Sequence, residues 1–254
     1  MIDTRAVVSR LHTIESLAVI PRVASTNLVA RRVVTECIEN ELSLPQAMIV
    51  AGEQFAGRGR NQRSWSSPRG KGIYATILLT RTAEQMGLIP LSMATVVARY
   101  LIEVFQIAAR IKWPNDILLA GRKIAGILIE GRVQEGRAYL AIGIGVNLEP
   151  VPDEQRPNAI SVRELAPRDY HGVDPATIAF IEHVDAGLSR RESRQEILAA
   201  WRALSMYEPG EPITCVVGQR TFTGTWAGID EMGRARLLTP SGEETIASGD
   251  LIVT

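Results

Sequence analysis

Residues 109–147 read ARIKWPNDILLAGRKIAGILIEGRVQEGRAYLAIGIGVN. Apolar residues come here in short runs broken by Gly and Pro, which predicts strands joined by tight turns. Ala109–Trp113 is a strand that ends at Pro114, because proline has no N–H to give to a ladder. Ile117–Leu119 and Lys123–Glu130 flank Ala120-Gly121-Arg122, a short hairpin turn. Tyr139–Asn147 is the next strand, with Gly143 and Gly145 on one face. Two missing side chains on one face leave two readings: a ligand or another backbone comes close, or the strand bulges.

Working outward, residues 25–40 read as an amphipathic helix that Ser25 or Thr26 can cap, with Val29, Val33, Cys37 and Ile38 near one face. Strands follow at 47–51 and 73–79, separated by a Gly/Arg/Ser-rich loop from Gly57 to Gly72. A helix is predicted over 88–106, with Pro90 in its first turn. Past 147 comes a polar connection (149–159), then one or two helices between Thr177 and Leu204. After Pro209 the texture changes to five short β-like runs within 212–254, the pattern of a small barrel or SH3-like module, with a domain boundary near 209.

Composition narrows the function. The 254 residues are 46% hydrophobic and 22% charged, enough apolar material to offset ordering entropy and so not a disordered chain. Lys plus Arg and Asp plus Glu are both 28, which argues against a general nucleic-acid binder but leaves room for a local basic patch. Cys37 and Cys215 sit among apolar neighbours and read as buried hydrophobes. No CxxC or His–Cys cluster is present for a structural zinc. The first residues lack a signal-peptide pattern, and no stretch approaches a membrane span, so the expected compartment is the cytoplasm.

Four segments carry candidate chemistry. Between Gln54 and Ala83 there is no acidic residue, while Arg58, Arg60, Arg63, Arg69, Lys71 and Arg81 all fall there. Gly57 and Gly59 let backbone N–H groups turn toward an anion, the arginine forks match phosphate or carboxylate oxygens, and Trp65 adds an apolar wall. The other reading is a solvated surface loop. Lys112-Trp113-Pro114-Asn115-Asp116 displays two polar groups at a strand end, where Asp116 serves either a Mg²⁺ beside a polyphosphate or simple turn chemistry. Lys123 opens an apolar strand and is either a point charge for an anion or a solvated hairpin lysine. Gly126 in the same strand permits close approach. Ser25-Thr26-Asn27 starts a helix, and capping explains Ser25, though contact with a polar ligand head is compatible.

Taken together, Ser25-Thr26-Asn27, GRGR at 57–60 with Arg63 and Trp65, KWPND at 112–116, GRKIAGILIE at 121–130 and IGIGVN at 142–147 resemble the biotin–protein ligases, also called biotin–[acetyl-CoA-carboxylase] ligases, in order and spacing. The resemblance is continuous from 25 to 147 and weaker in the tail around Trp201 and beyond. It implies an α/β (α+β) fold, a class II aminoacyl-tRNA synthetase-like mixed sheet with helices on one side over 1–208, plus an SH3-like β-barrel over 209–254. It implies a monofunctional enzyme that makes biotinyl-5′-AMP from biotin and ATP with Mg²⁺. The biotin then passes to a lysine of the biotin carboxyl carrier protein of a carboxylase.

The site residues carry over with the resemblance. Ser25, Thr26, Asn27 and Gln54 would contact biotin, and Gly57, Arg58, Gly59, Arg60, Arg63 and Trp65 would form the loop closing over the adenylate. Lys123 and Arg60 would be catalytic, with Gly126 lining the pocket and Lys123 bridging carboxylate and phosphate. Asn115, Asp116 and Asn147 would lie on the nucleotide side, with Asp116 near the metal-bound phosphates. The family loop usually reads GRGRRGR; here Asn61 and Gln62 replace an Arg and a Gly. Only some 24 residues precede Ser25, too few for the winged helix-turn-helix of the repressor members, so no DNA role is expected. Members occur as monomers or as homodimers paired through the central sheet. Two other readings stand beside this one: a lipoate or octanoate ligase of related fold, and a non-catalytic nucleic-acid module built on the basic loop and small barrel.

Overall fold

In the computed structural model the described residues are 2–150, 152–155, 157–166 and 168–253, so positions 151 and 156 of the predicted connection, and position 254 of the tail, lie outside them. The chain begins with α1 (Thr4–Val8), β1 (Ser16–Ile20), α2 (Thr26–Glu39) and β2 (Ala47–Ala51). It continues through β3 (Gly72–Thr82), α3 (Ile89–Phe105), β4 (Arg110–Lys112), β5 (Asp116–Leu119), β6 (Arg122–Gln134) and β7 (Arg137–Asn147). Three helices follow: α4 (Val162–Leu165), α5 (Val173–Ser189) and α6 (Arg194–Leu204). The tail supplies β8 (Pro212–Val217), β9 (Arg220–Ile229), β10 (Ala235–Thr239), β11 (Gly242–Ile246) and β12 (Asp250–Val253).

Seven strands form a mixed sheet in the order β1-β2-β3-β7-β6-β5-β4, with β1 and β2 parallel and the other neighbours antiparallel. Strand alternation sorts its side chains. Ile73, Ala75, Ile77 and Leu79 of β3 point with Leu140, Ile142, Ile144 and Val146 of β7 into the main core, against α3. The intervening Leu78 and Ala141 point the other way, where α2 seats Ala30, Val34 and Cys37 over Ala47 and Ile49. Helices therefore cover both faces, not one side as the resemblance implied. The small Ala47 and Ala141 leave a second apolar seat, and α2 fills it.

The buried stripe of α2 is Thr26, Asn27, Ala30, Val34 and Cys37; Val29, Val33 and Ile38 flank it. The helical run Ala83–Phe105 is long and apolar enough to cross a membrane, contrary to the sequence reading, but most of it is buried as the central core helix. Cys37 and Cys215 are free and buried, as expected, and burial pushes the Cys215 thiol up to about 11. The first helix and first strand escaped prediction; buried Asp185 on α5 ties the segment between them down by accepting three N–H bonds, from His12, Thr13 and Ile14, at 2.7–2.8 Å.

The tail forms a five-stranded antiparallel sheet ordered β11-β10-β9-β8-β12. It does not hang free: Ile213, Trp226 and Leu237 join the core of the large sheet, and the Trp113 indole donates to the Gly233 carbonyl at 3.0 Å.

Candidate active site

On the α2 face of the large sheet, beyond the helix start, lies a cavity of about 470 Å³. Its floor exists because three residues lack side chains. Gly126 on β6 pairs with Gly145 on β7, and Gly143 pairs with Leu128. A Cβ on Gly143 would overlap the Asn27 amide, and one on Gly145 would overlap the Trp65 indole. One on Gly126 would press on the Lys123 side chain and Trp65. So the glycines of β7 mark neither a bulge nor a backbone crossing. They make room for two side chains that line the cavity.

Ser25, Thr26 and Asn27 are all buried here. The expected Ser25 cap is not made: its side chain does not bond the helix start. Gln54 takes that place, its Oε1 accepting from the Thr26 N–H at 2.8 Å and the Thr26 hydroxyl at 3.1 Å. The reason is a tertiary contact: Gln54 bridges to Val23, which brings its carbonyl to the helix start. Its Nε2 donates to Ser67 Oγ at 2.8 Å. The Thr76 hydroxyl lies 2.7 Å from both Thr26 Oγ1 and Asn27 Oδ1. Asn27 Nδ2 donates to the Leu128 carbonyl and to Glu130 Oε2. This network orients each polar group before any ligand arrives. Ser67, Thr76 and Glu130 were missed by the sequence reading.

The cationic loop folds back on itself. Gly59 N–H donates to Arg63 O at 2.7 Å, and Trp65 N–H donates to Gly57 O at 3.0 Å. Gly57 does not line the cavity, a correction to its assignment as a binding residue; a Cβ there would strike the Trp65 carbonyl, so it lets the loop's two arms close. The loop's arginines are held individually. Arg58 lies 3.8 Å from Glu130 Oε1, which also pairs with Arg31 at 3.2 Å. Arg60 donates to Asn115 Oδ1 at 2.8 Å and to the Gly249 carbonyl at 3.2 Å. Arg63 reaches Asp250 at 3.1 Å. At the tip, Asn61 (φ 51°) and Gln62 (φ 60°) both take left-handed backbone.

Lys123 and Asp116 meet at 2.6 Å, so Asp116 starts β5 rather than lying in a turn, and the lysine is paired rather than free in solvent. The Lys123 ammonium also lies 5.2 Å from the Trp65 ring centre, within cation–π range. Asn147 steadies its backbone, donating to Lys123 O at 3.4 Å and to Ile160 O at 3.2 Å. Buried Asn115 donates to Ile127 O while accepting from Arg60. Trp65 Nε1 is buried without an acceptor, an orphan donor that a ligand oxygen would satisfy.

Apart from Gly57, every residue that the resemblance assigned to the site lines this one cavity; Arg69, Lys71 and Arg81 of the acid-free cationic stretch do not. Gln155 and Asn158, from the loop after β7, and Asp250, from the tail sheet, line it too and carried no local signal. The lining combines amide and hydroxyl groups (Ser25, Thr26, Asn27, Gln54), apolar surface (Trp65, Leu128) and cations (Arg58, Arg60, Arg63, Lys123). That combination suits a ligand with a polar head, an apolar body and an anionic end.

Comparison with known proteins agrees. Residues 19–147 match the biotin/lipoate A/B protein ligase family, and residues 210–253 match the biotin protein ligase C-terminal domain. A biotin–[acetyl-CoA-carboxylase] ligase of Paracoccus denitrificans is 34% identical over 218 residues, 81% of this chain and 89% of that protein. The bifunctional ligase/repressor BirA of Bacillus subtilis is 31% identical over 80% of this chain and 65% of its own length. The structure of a biotin protein ligase from Aquifex aeolicus in complex with biotin and ATP superimposes with a TM-score of 0.73 at 26% identity, covering 94% of this chain and 98% of that one.

Proposed function

Since the chain belongs to the biotin/lipoate A/B protein ligase family, we propose a division of labour within its cavity for the ATP-dependent biotinylation it carries out. The carrying observation is the convergence of the Thr26–Gln54 network, Arg60 and the Lys123–Asp116 pair on one cavity. In the first half-reaction a carboxylate oxygen of biotin attacks the α-phosphorus of ATP. A P–O bond forms, the bond to the bridging oxygen breaks, and pyrophosphate leaves with the electron pair. In the second, a neutral lysine amine of the carrier attacks the acyl carbon, loses its proton, and AMP departs.

Two anions must meet in the first step, and at an effective dielectric of about 20 two unit charges 4 Å apart repel by roughly 4 kcal/mol. Lys123, released from Asp116 to the incoming carboxylate and phosphate, and Arg60 offset that repulsion and the charge growing at phosphorus. Ser25, Thr26, Asn27 and Gln54 take the polar head of biotin, and Trp65 and Gly126 its apolar body. Arg58, Gly59 and Arg63 hold the loop over the adenylate. Asn115, Asp116 and Asn147 serve the nucleotide side.

Among the described residues no cluster of three or more His, Cys, Asp or Glu could hold a metal by itself. That fits Mg²⁺ arriving with ATP, since it is ordinarily held by phosphates, water and one or two carboxylates; Asp116 would be the carboxylate facing it. The carrier is the biotin carboxyl carrier protein of acetyl-CoA carboxylase, and the reaction belongs in the cytoplasm. Residues 1–208 form the catalytic domain, of class II synthetase-like type, and 209–254 an SH3-like domain. The test is an intact-mass assay of a carrier domain with enzyme, biotin and ATP. One biotin on one lysine, dependent on ATP, is expected. Acylation by octanoate or lipoate in place of biotin would overturn the substrate.

A further inference from the structure

A second cavity, of about 790 Å³, lies on the opposite face of the large sheet and shares no lining residue with the first. It opens between the far end of β3, the start of α3 and the α5–α6 turn. Its charges are unequal. Arg81, Arg190, Arg191 and Arg194 line it, against Glu84 and Glu192. Glu192 is taken by Arg99 at 3.5 Å, and Arg194 by Glu231 at 3.8 Å, both partners outside the cavity. Among the described residues Arg81, Arg190 and Arg191 have no ion pair.

Arg81 is the informative member. It is half-buried, and its hydrogen bond goes to the carbonyl of neighbouring Thr80. Burial lowers its pKa, the sign of a desolvated guanidinium that no carboxylate compensates. The apolar part of its lining is aliphatic, with Leu79, Met93, Leu188 and Ile197 beside polar side chains such as Gln46 and Ser92, and its one ring is the His12 imidazole. A nucleobase would find no Phe, Tyr or Trp to stack on, only the His12 imidazole. A bare inorganic anion would leave the wall unused.

We propose that this cavity is a binding site for an amphipathic aliphatic carboxylate. The head is forked by Arg81, with Arg190 and Arg191 at the rim, and the chain lies along the Leu188–Ile197 wall. The volume falls in the range of small-molecule pockets, about 300–1,000 Å³.

The test is isothermal titration of decanoate, below its micelle concentration, into enzyme whose first cavity is filled by biotin and ATP. One saturable event is expected. Arg81→Met, which keeps the stem and removes the fork, should weaken it at least ten-fold, while its melting temperature and rate of adenylate formation stay at wild-type values. Decanol and inorganic phosphate should each bind at least ten-fold more weakly than decanoate. Absence of the event, equal binding by folded Arg81→Met, or equal binding by decanol would overturn the proposal. Tighter binding of phosphate than decanoate would overturn the amphipathic class. None of these outcomes bears on the ligase reaction, which uses the other cavity.

Discussion

The two faces of the large sheet are built from alternate residues of the same strands and do opposite things. On β7, Leu140, Ile142, Ile144 and Val146 fill the main core. One residue out of phase, Gly143, Gly145 and Asn147 line the ligand cavity. The core face gains stability from branched side chains packed to crystal-like density. The cavity face gives up that volume and replaces it with hydrogen-bonded polar groups and paired charges. The second difference lies in the cations. Around the first cavity Lys123, Arg58, Arg60 and Arg63 are each held by a side chain from another segment, whereas among the described residues Arg81, Arg190 and Arg191 at the second have no ion pair, and Arg81 bonds the carbonyl of its neighbour Thr80. Chemistry at the first site needs cations held in place before the ligand arrives; the second offers uncompensated charge beside aliphatic side chains.

The largest test of this contrast removes a charge from the cavity face. Lys123→Ala should slow adenylate formation by about 10²–10³-fold, the usual loss for a donor aimed at a developing oxyanion. Pyrophosphate release measures it, and a rate near wild-type would remove Lys123 from the reaction. Next comes a neighbouring pair on one strand. Ile144→Ala, on the core face, should cost about 3 kcal/mol of stability by leaving a cavity, with biotin affinity little changed. Gly145→Ala, one residue on, should do the reverse. Its methyl displaces Trp65 and weakens biotin binding by about ten-fold or more, at a stability cost of about 1 kcal/mol. Denaturant melts and biotin titrations on both variants separate the two; matching losses in both measurements would mean that the faces are not divided as described.

Much of this division is readable in the chain because alternation is local. LAIGIGV announces two unlike faces by itself, and RIKWPND and GRKIAG announce strand ends bearing charge. The short edge strand Ser16–Ile20 escapes because five residues with two partly exposed faces give no clear period. Thr76 looks like any strand threonine in IYATILL until Asn27, 49 residues earlier in the chain, is brought against it. Glu130, Gln155 and Asp250 likewise become site residues only through contacts across the fold. Ser25 shows the opposite failure. The local rule names it as cap, but a carbonyl 28 residues from Thr26 competes and wins, which no window of sequence contains.

The loop over the cavity gives two smaller tests. Arg60→Gly removes the bonds to Asn115 and the Gly249 carbonyl, each of the charged kind worth roughly 1.5–3 kcal/mol. Biotinyl-5′-AMP should then escape about ten-fold faster or more, read by trapping free adenylate in solution. Retention at the wild-type rate would mean that the loop is held elsewhere.

The smallest effect comes from the loop tip, where Gln62 has φ 60°. A left-handed residue other than Gly costs about 1–2 kcal/mol, because its Cβ crowds the carbonyl. The neighbouring Asn61, at φ 51°, is a type that tolerates this region, so the strain concentrates on Gln62. Gln62→Gly removes the crowding but adds freedom to the open loop, which takes back about 0.5–1 kcal/mol. The net gain of roughly 0.5–1 kcal/mol belongs to the loop rather than to the core, so a global melt would scarcely register it. Limited proteolysis does register it, because Arg60 and Arg63 flank the tip and trypsin cuts there only when the loop opens. Nicking of Gln62→Gly should be about two- to five-fold slower than wild-type, with an unchanged core melt. Faster nicking would show that the left-handed tip is stabilised by the Gln62 side chain, and that the loop holds its closed shape without strain.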